Sequence, residues 1–271
     1  MQKRNTLIIA VLLLMMWTLL PAAEPTGREI MEMLEDANSS TSAHSVMTME
    51  LIDSKGDVRS RVIEQWSQEY DQEADLNRSI MVFHTRASVK GTRFLQIANN
   101  DRDDDQWIYM PALGRVRRIA SSESGGSFMG SDVSYEDMQS RDLDDYTFIY
   151  LKSEEKQGMS CWVVESTPKP SADSDYSRTI VWVHQEKLVI MSTEMYDLKG
   201  KLYKKMKNDG DLMQVSGIWT FTTMTITDVQ KDHSTRMVTK NSKSGDPMIE
   251  FNKPINPKRF TQAYLKTGQV R

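Results

Sequence analysis

A strand, a tight turn and a second strand can be read directly in residues 103–119, which run DDDQWIYMPALGRVRRI. Apolar and polar residues alternate on both sides of the central PALG, and a turn of this kind between two alternating runs is typical of a β-hairpin. Residues that face each other across such a turn follow from its centre. We therefore expect Trp107 to face Arg118, and Tyr109 to face Val116.

Alternation with a period of two residues continues over most of the chain outside this hairpin. Met47, Met49 and Leu51 alternate with polar residues, and similar runs recur with Gly, Asp, Asn or Pro between them. Successive runs of this kind predict a mainly β (α+β) protein built on an antiparallel sheet of about eleven strands. No change of composition and no long linker divides the chain. We therefore expect residues 24–271 to form a single domain.

Helical periodicity is confined to the two ends of this domain. Thr26 and Glu29 have the spacing of a capping box, in which each side chain bonds the backbone N–H of the other. Apolar residues follow at helical spacing, so the pattern predicts a helix that begins at Thr26 and ends in the stretch 38–40. A second helical candidate spans residues 259–266.

The strand pattern fails between residues 120 and 141, a stretch that is rich in Ser and Gly. Long loops inside a compact domain are usually functional or mobile. Phe128 and Met129 lie in this stretch as potential apolar contacts. We expect the stretch to form part of a lid over a binding site, or the way into it.

The first 23 residues have the layout of a secretory signal peptide. Lys3 and Arg4 precede an apolar run at residues 7–20, and small residues follow up to Ala23. A membrane-spanning helix needs about 20 apolar residues, and this run is shorter. We expect cleavage after Ala23 and export, which means the periplasm in a Gram-negative bacterium. An uncleaved N-terminal anchor is the alternative.

Charge and cysteine content exclude several classes of protein. Lys and Arg total 34 against 38 Asp and Glu, for a formal net charge of −4, whereas a protein that binds nucleic acid needs a basic surface. The single Cys, Cys161, excludes an internal disulfide framework and any metal site built from clustered cysteines. Because Cys161 lies in an apolar alternating run, we expect a buried and inert thiol.

Motifs for catalysis are weak throughout the sequence. The four His residues have none of the spacings of zinc sites, and no Gly-x-Ser-x-Gly elbow occurs. The glycine-rich stretch 125–130 lacks the Lys of a phosphate-binding loop, and the acidic run 101–105 lacks the Gly and distal Glu of an EF-hand. We therefore expect no catalytic residues, no metal and no cofactor. A β-rich secreted hydrolase is the enzymatic alternative.

Methionine is unusually abundant, at 19 residues. Met is flexible and polarizable, and it suits irregular apolar ligands. A sheet with few helices must also cover one apolar face, either with an ordinary core or by curling around a cavity. Composition leaves both interpretations open.

Motifs in three parts of the chain carry a resemblance to a known family. The hairpin sequence 103–119 is similar to a motif of the outer-membrane lipoprotein-sorting protein family, relatives of the LolA and LolB carriers. Residues 128–132, FMGSD, and 134–137, SYED, resemble its second signature, and residues 90–95, KGTRFL, also fit. Val133 stands where many relatives have an aromatic residue, a departure confined to that loop.

The resemblance implies an incomplete antiparallel β-barrel with a helical lid over an apolar cavity. It also implies a periplasmic carrier or chaperone that binds lipid or the acyl chains of lipoproteins and serves outer membrane biogenesis, without making or breaking bonds. We expect a monomer whose partners include an inner-membrane export-type transporter. A non-catalytic sensor or scaffold of the same fold, acting on a membrane protein, is the alternative.

Two groups of residues are candidates for contact with such a ligand or partner. Arg115, Arg117 and Arg118 could meet lipid phosphates or an acidic transporter surface, because Arg pairs with phosphate through two N–H groups. Alternatively they only solvate the sheet and pair with the Asp residues at 103–105. Trp107 and Arg118 are a candidate cation–π pair. The apolar candidates for the cavity or its lid are Trp66, Phe83, Phe94, Trp107, Tyr109, Phe128, Met129 and Tyr135.

Overall fold

The computed structural model of the chain describes residues 24–74, 76–100 and 102–270. The signal peptide predicted at residues 1–23 lies outside the described residues, and its cleavage stays a prediction. Among the helices in the described ranges, none combines the length and the apolar character needed to cross a membrane.

Two α-helices stand at the two ends of the described chain, α1 (Gly27–Asn38) and α2 (Gln262–Thr267). The capping box predicted at the start of α1 is confirmed. Thr26 Oγ1 accepts from the backbone N–H of Glu29 at 3.2 Å, and a Glu29 carboxylate oxygen accepts from the N–H of Thr26 at 2.7 Å. The predicted C-terminal helix is present as a 3₁₀ turn followed by α2.

Strands make up most of the remaining described residues. They are β1 (Ser42–Ile52), β2 (Val58–Asp71), β3 (Leu76–Phe83), β4 (Arg93–Ile97), β5 (Asp105–Met110), β6 (Arg115–Arg118), β7 (Tyr146–Lys156), β8 (Met159–Pro168), β9 (Tyr176–His184), β10 (Ile190–Asp197), β11 (Leu202–Val215), β12 (Ile218–Asp228), β13 (His233–Thr239) and β14 (Ile249–Phe251).

These fourteen strands form one antiparallel sheet that does not close on itself. The hydrogen-bonded order is β6-β5-β4-β3-β2-β1-β13-β12-β11-β10-β9-β8-β7, and β14 pairs with β1. The sheet therefore ends in two free edges, β6 and β7. The described part of the chain has more strands than the eleven or so predicted, because elements as short as β14 hold too few residues for an alternation to be recognised.

The register predicted for the central hairpin is confirmed. Trp107 lies opposite Arg118, and Tyr109 lies opposite Val116, in the pairing of β5 with β6. Because side chains alternate along each strand, these four residues share one face of the sheet.

The sheet curls around the segment that links its two edges. We call residues 126–139 of this segment the plug. Gln106 on β5 donates to the plug carbonyl of Tyr135 at 3.0 Å, and Lys204 on β11 donates to the plug carboxylate of Asp137 at 2.8 Å. Since β5 and β11 stand far apart in the strand order, one segment can reach both only if the face between them is concave.

The C-terminal segment covers part of the opposite, convex face. Phe260 and Leu265 are buried there against Ile80, Val82 and Leu95. The neighbours of these strand residues, Met81 and Phe83, lie in the cluster around the plug instead. Alternate residues of β3 therefore pack in two separate cores, one on each face of the sheet.

Candidate functional site

An apolar cavity of about 870 Å³ lies between α1, the plug and the concave face of the sheet. Cavities that hold small ligands have volumes of about 300–1,000 Å³. Methionine is the most frequent residue type in the lining. The methionines that line the cavity are Met31, Met47, Met81, Met138, Met195, Met206, Met224 and Met237.

Helix α1 forms one wall of the cavity, with Met31 and Leu34 on the lining. Its first residue, Gly27, lies directly on β7, since a Cβ atom there would be 2.8 Å from the backbone nitrogens of Ile149 and Tyr150. At the other end, the Asn38 side-chain amide donates to the carbonyl of Leu188 at 2.8 Å. Both ends of α1 are thus tied to the far half of the sheet.

The plug carries an aromatic residue into the core beside the cavity. Phe128 is 0% exposed, and its ring centroid lies 5.1 Å from that of Phe94, 5.8 Å from Tyr135 and 5.9 Å from Phe83. Aromatic rings in tilted or edge-to-face pairs at such distances stabilise a core beyond the area they bury. Phe128 is therefore a core residue, and we expect its loss to unfold the protein more readily.

A buried ion pair holds the plug to the second half of the sheet. The Lys204 ammonium donates to Asp137 and to the Tyr176 hydroxyl, each at 2.8 Å, and Tyr176 donates to Asp137 at 2.7 Å. Burial on its own raises the pKa of Asp137, but the Lys204 charge and the hydrogen bonds outweigh it and lower that pKa. Burial and the nearby Asp137 charge raise the pKa of Tyr176. The carboxylate and the protonated tyrosine are thus the stable forms.

A second buried carboxylate fastens the middle of the plug to β13. The Asp132 carboxylate lies 2.8 Å from Nδ1 of His233 and accepts from the Thr235 hydroxyl at 2.7 Å. The Asp132 N–H donates in turn to the same hydroxyl at 2.8 Å. Because Asp132 and Asp137 both have partners on the sheet, the plug is built into the fold.

Glu136 makes a third attachment, to the turn before β9. Its carboxylate accepts from the Ser174 hydroxyl at 2.5 Å and from the Asp175 N–H at 3.1 Å. Burial raises the pKa of Glu136 above its usual value. The neighbouring carboxyl groups of Glu136 and Asp137 therefore shift in opposite directions, because only Asp137 has a cation within bonding distance.

The aromatic residues predicted from the sequence as ligand contacts divide between the two faces. Phe83, Phe94, Phe128, Met129 and Tyr135 belong to one cluster around the plug, and of these Phe94 lines the cavity. Their role in binding stays a prediction.

Trp66, Trp107 and Tyr109 pack on the convex face under the C-terminal segment. Trp66 lies between two side chains there: the His44 ring stacks on it with centroids 5.1 Å apart, and the Arg259 guanidinium lies 4.1 Å from its centroid. With these two contacts, Trp66 is a packing residue of the convex face. Within the described residues, the lining of the cavity does not include Trp66, Trp107 or Tyr109.

The basic residues of the hairpin are largely engaged by carboxylates. Arg118 lies 2.5 Å from Asp105, and Arg117 lies 2.7 Å from Glu123. Hydrogen bonding from Arg102, and then from Arg118, lowers the pKa of Asp105 to about 2 despite its partial burial. Within the described ranges, Arg118 pairs with Asp105 rather than stacking on Trp107, so the predicted cation–π pair is replaced by an ion pair.

Several residues of the cavity and plug could not be singled out from the sequence. Thr193 and Met195 on β10 line the cavity, and Lys204 anchors the plug. A Lys in the alternating run of β11 looks like any solvated strand residue. One feature of the sequence points to Lys204. Met206, two residues further along the same strand, lines the cavity, so alternation places Lys204 on the same inward face.

The lone thiol is buried, as the sequence predicts, and its inertness stays a prediction. Cys161 is 0% exposed, and burial raises the pKa of its thiol. Among residues 24–74, 76–100 and 102–270, no three His, Cys, Asp or Glu side chains are grouped so as to hold a metal ion.

A curled open sheet, a pinned plug and a methionine-lined cavity define the class of incomplete, open antiparallel β-barrels. The model of a protein family that is described only as uncharacterized matches residues 75–267. No curated protein matches the chain.

Solved structures share this fold. An outer membrane lipoprotein-sorting protein domain from Vibrio parahaemolyticus is 30% identical, with 89% of this chain and 98% of that chain covered and a TM-score of 0.80. A DUF1329 family protein from Desulfovibrio piger is 28% identical, with 88% and 97% covered and a TM-score of 0.82. A LolA superfamily protein from Nitrosomonas europaea has the same fold at 18% identity, with 89% and 99% covered and a TM-score of 0.65. The chain belongs to the family of outer membrane lipoprotein-sorting domain proteins.

Proposed function

We propose that this protein is a periplasmic carrier that shelters lipid, or the acyl chains of lipoproteins, in the cavity beneath α1 and passes them to or from a membrane partner. The observation that carries the proposal is the cavity itself, with its volume of about 870 Å³ and its methionine-rich lining. Methionine side chains adapt to ligands of variable shape.

The energetics of an acyl chain explain why such a cavity suits a carrier. Each methylene removed from water contributes about 0.8 kcal/mol, so a sixteen-carbon chain needs about 13 kcal/mol of shelter to cross water. A membrane already supplies that shelter. Exchange between membrane and carrier is therefore close to neutral, provided that the cavity neither binds too weakly to load nor too tightly to release.

Helix α1 is the part of the cavity wall that we assign as the lid. It covers the cavity with Met31 and Leu34, whereas the plug is fixed by the buried contacts of Asp132 and Asp137. Polar residues at the margin of the cavity, Glu35 and Arg141, are placed for the headgroup end of a lipid. An export-type transporter of the inner membrane is the partner class we favour, with Arg115 and Arg117 as its contacts.

Ligand binding tests the proposal directly. An environment-sensitive apolar dye should bind the purified protein at micromolar concentration and be displaced by phospholipid, and organic extraction followed by mass spectrometry should identify any lipid that co-purifies. Met224→Glu places a charge in the lining and should weaken dye binding at least tenfold. Leu198→Glu, at a turn residue that is 69% exposed, is the matched control and should leave binding unchanged.

Absence of dye and lipid binding by folded protein would contradict the carrier. A stoichiometric protein partner bound while the cavity stays empty would favour the scaffold, and steady consumption of a lipid ester would favour an enzyme.

A further inference from the structure

Three guanidinium groups gather where β2 begins, outside the cavity. Arg59 and Arg61 lie two residues apart on β2 and therefore point to the same, concave face. Arg86 reaches them from the connection between β3 and β4, where its Nε donates to the carbonyl of Ser60 at 2.9 Å. None of the carboxylates in the described ranges lies within the 4.0 Å of an ion pair from any of these groups.

Arg61 is the buried member of this group, with only 9% of the residue exposed. Arg61 Nη1 donates a hydrogen bond to the carbonyl of Met129 in the plug, at 2.7 Å. A carbonyl oxygen carries no net charge. Burial, and then repulsion from the charges of Arg59 and Arg86, lowers the pKa of the Arg61 guanidinium. Burying a cation without a counter-charge is unfavourable.

The plug beside these groups offers room and no competing anion. Met129 and Gly130 both have positive φ, of 53° and 76°, which turns the chain sharply next to Arg61. No atom lies within 4 Å of the position that a Cβ on Gly130 would take, so the surface there is open. The next carboxylate along the plug, that of Asp132, is occupied by His233 and Thr235.

We propose that Arg59, Arg61 and Arg86 form a binding site for an oxyanion of the phosphate class. Guanidinium groups bind phosphate through pairs of parallel N–H donors, and a dianion among three cations would supply the charge that the fold itself omits. The phosphate can be a free ion or part of a lipid headgroup. The site lies apart from the cavity lining, so the inference does not depend on the proposed function.

The experiment uses two phosphate sources with the full-length chain. For the free ion, inorganic phosphate is titrated by calorimetry and by thermal melting, against sodium chloride at matched ionic strength. For the lipid, co-sedimentation compares vesicles of phosphatidylglycerol and phosphatidylcholine with vesicles of phosphatidylcholine alone. Arg61→Gln should weaken binding at least tenfold. Arg59→Gln and Arg86→Gln, at exposed positions, give the same test without disturbing buried packing.

Arg236→Gln is the matched control, because Arg236 already has a carboxylate partner, Glu50, at 3.6 Å. Phosphate binding that falls in the three variants and persists in the control supports a site for the free ion. Vesicle binding that behaves in the same way supports a lipid headgroup. The proposal is overturned if chloride at matched ionic strength stabilises the protein as much as phosphate does and vesicles do not bind, or if Arg236→Gln weakens binding as much as the others.

Discussion

Lys204 and Asp137 lie 2.8 Å apart with 3% and 11% of their side chains exposed, and they join two segments that are 67 residues apart in the chain. Asp137 belongs to the plug and Lys204 to β11. This ion pair, together with the contacts of Asp132 and Glu136, therefore fixes how the plug lies inside the curve of the sheet.

Removal of the lysine should be strongly destabilising. Lys204→Met leaves the Asp137 carboxylate buried without its cation, which typically costs about 3–5 kcal/mol of unfolding free energy. The double variant Lys204→Met, Asp137→Leu should recover part of that loss, because no charge is then left unpaired. Urea unfolding measures both. Lys205→Met, which removes an exposed lysine paired with Glu194, is the control and should cost about 0–1 kcal/mol.

Acidification should remove the stabilisation that the ion pairs of Asp105 give to the hairpin. Its pKa in the folded protein is about 2, against a usual value of 3.8, so its ion pairs stabilise the fold above about pH 4 and this contribution is lost as the pH falls towards 2. Asp105→Asn lacks the contribution at every pH. Melting temperatures should therefore differ between wild type and variant at pH 7 and converge near pH 2; a constant difference throughout would contradict the assignment.

Truncation of the buried Phe128 side chain should destabilise the protein. Phe128→Ala should lower the free energy of unfolding by about 3–5 kcal/mol, the usual range for a fully buried Phe. Chemical denaturation gives the value. Leu113→Ala, at a hairpin residue that is 53% exposed, serves as the reference and should change stability by about 0.5 kcal/mol or less. A similarly small effect for Phe128 would mean that the plug leaves the core easily.

The seat of α1 on β7 gives a test of close packing. Gly27→Ala places a methyl group 2.8 Å from two backbone nitrogens of β7. Backbone atoms of a strand cannot move away from the methyl group as the end of a flexible side chain can. Despite the better helix propensity of Ala, we expect a loss of about 1–3 kcal/mol. Glu32→Ala, in the exposed salt bridge with Arg28, provides the comparison within the same helix. Thermal melting of both variants decides whether the contact holds.

Local patterns in the sequence predicted those parts of the structure that depend on near neighbours. The alternation around Trp107 led to the correct register across β5 and β6, and the spacing of Thr26 and Glu29 located the start of α1. Both follow from residues close together in the chain.

Contacts between distant segments were beyond such reasoning. An alternating strand has two equivalent faces, and only the curl of the sheet decides which one is concave. Trp66 and Phe94 are both apolar strand residues, yet Trp66 packs beneath the C-terminal segment and Phe94 lines the cavity. Likewise, nothing near Lys204 in the sequence indicates its partner Asp137.

The free edges β6 and β7 bear on how much the protein can hold. In a closed barrel, the number of strands and their stagger set the radius, so girth cannot change without breaking the ladder of backbone hydrogen bonds. Here β6 and β7 are the two ends of the strand order, so no ladder of backbone hydrogen bonds between these two strands fixes the girth of the curled sheet. We therefore expect the capacity of the cavity to be limited by the side-chain contacts of Asp132 and Asp137 that hold the plug.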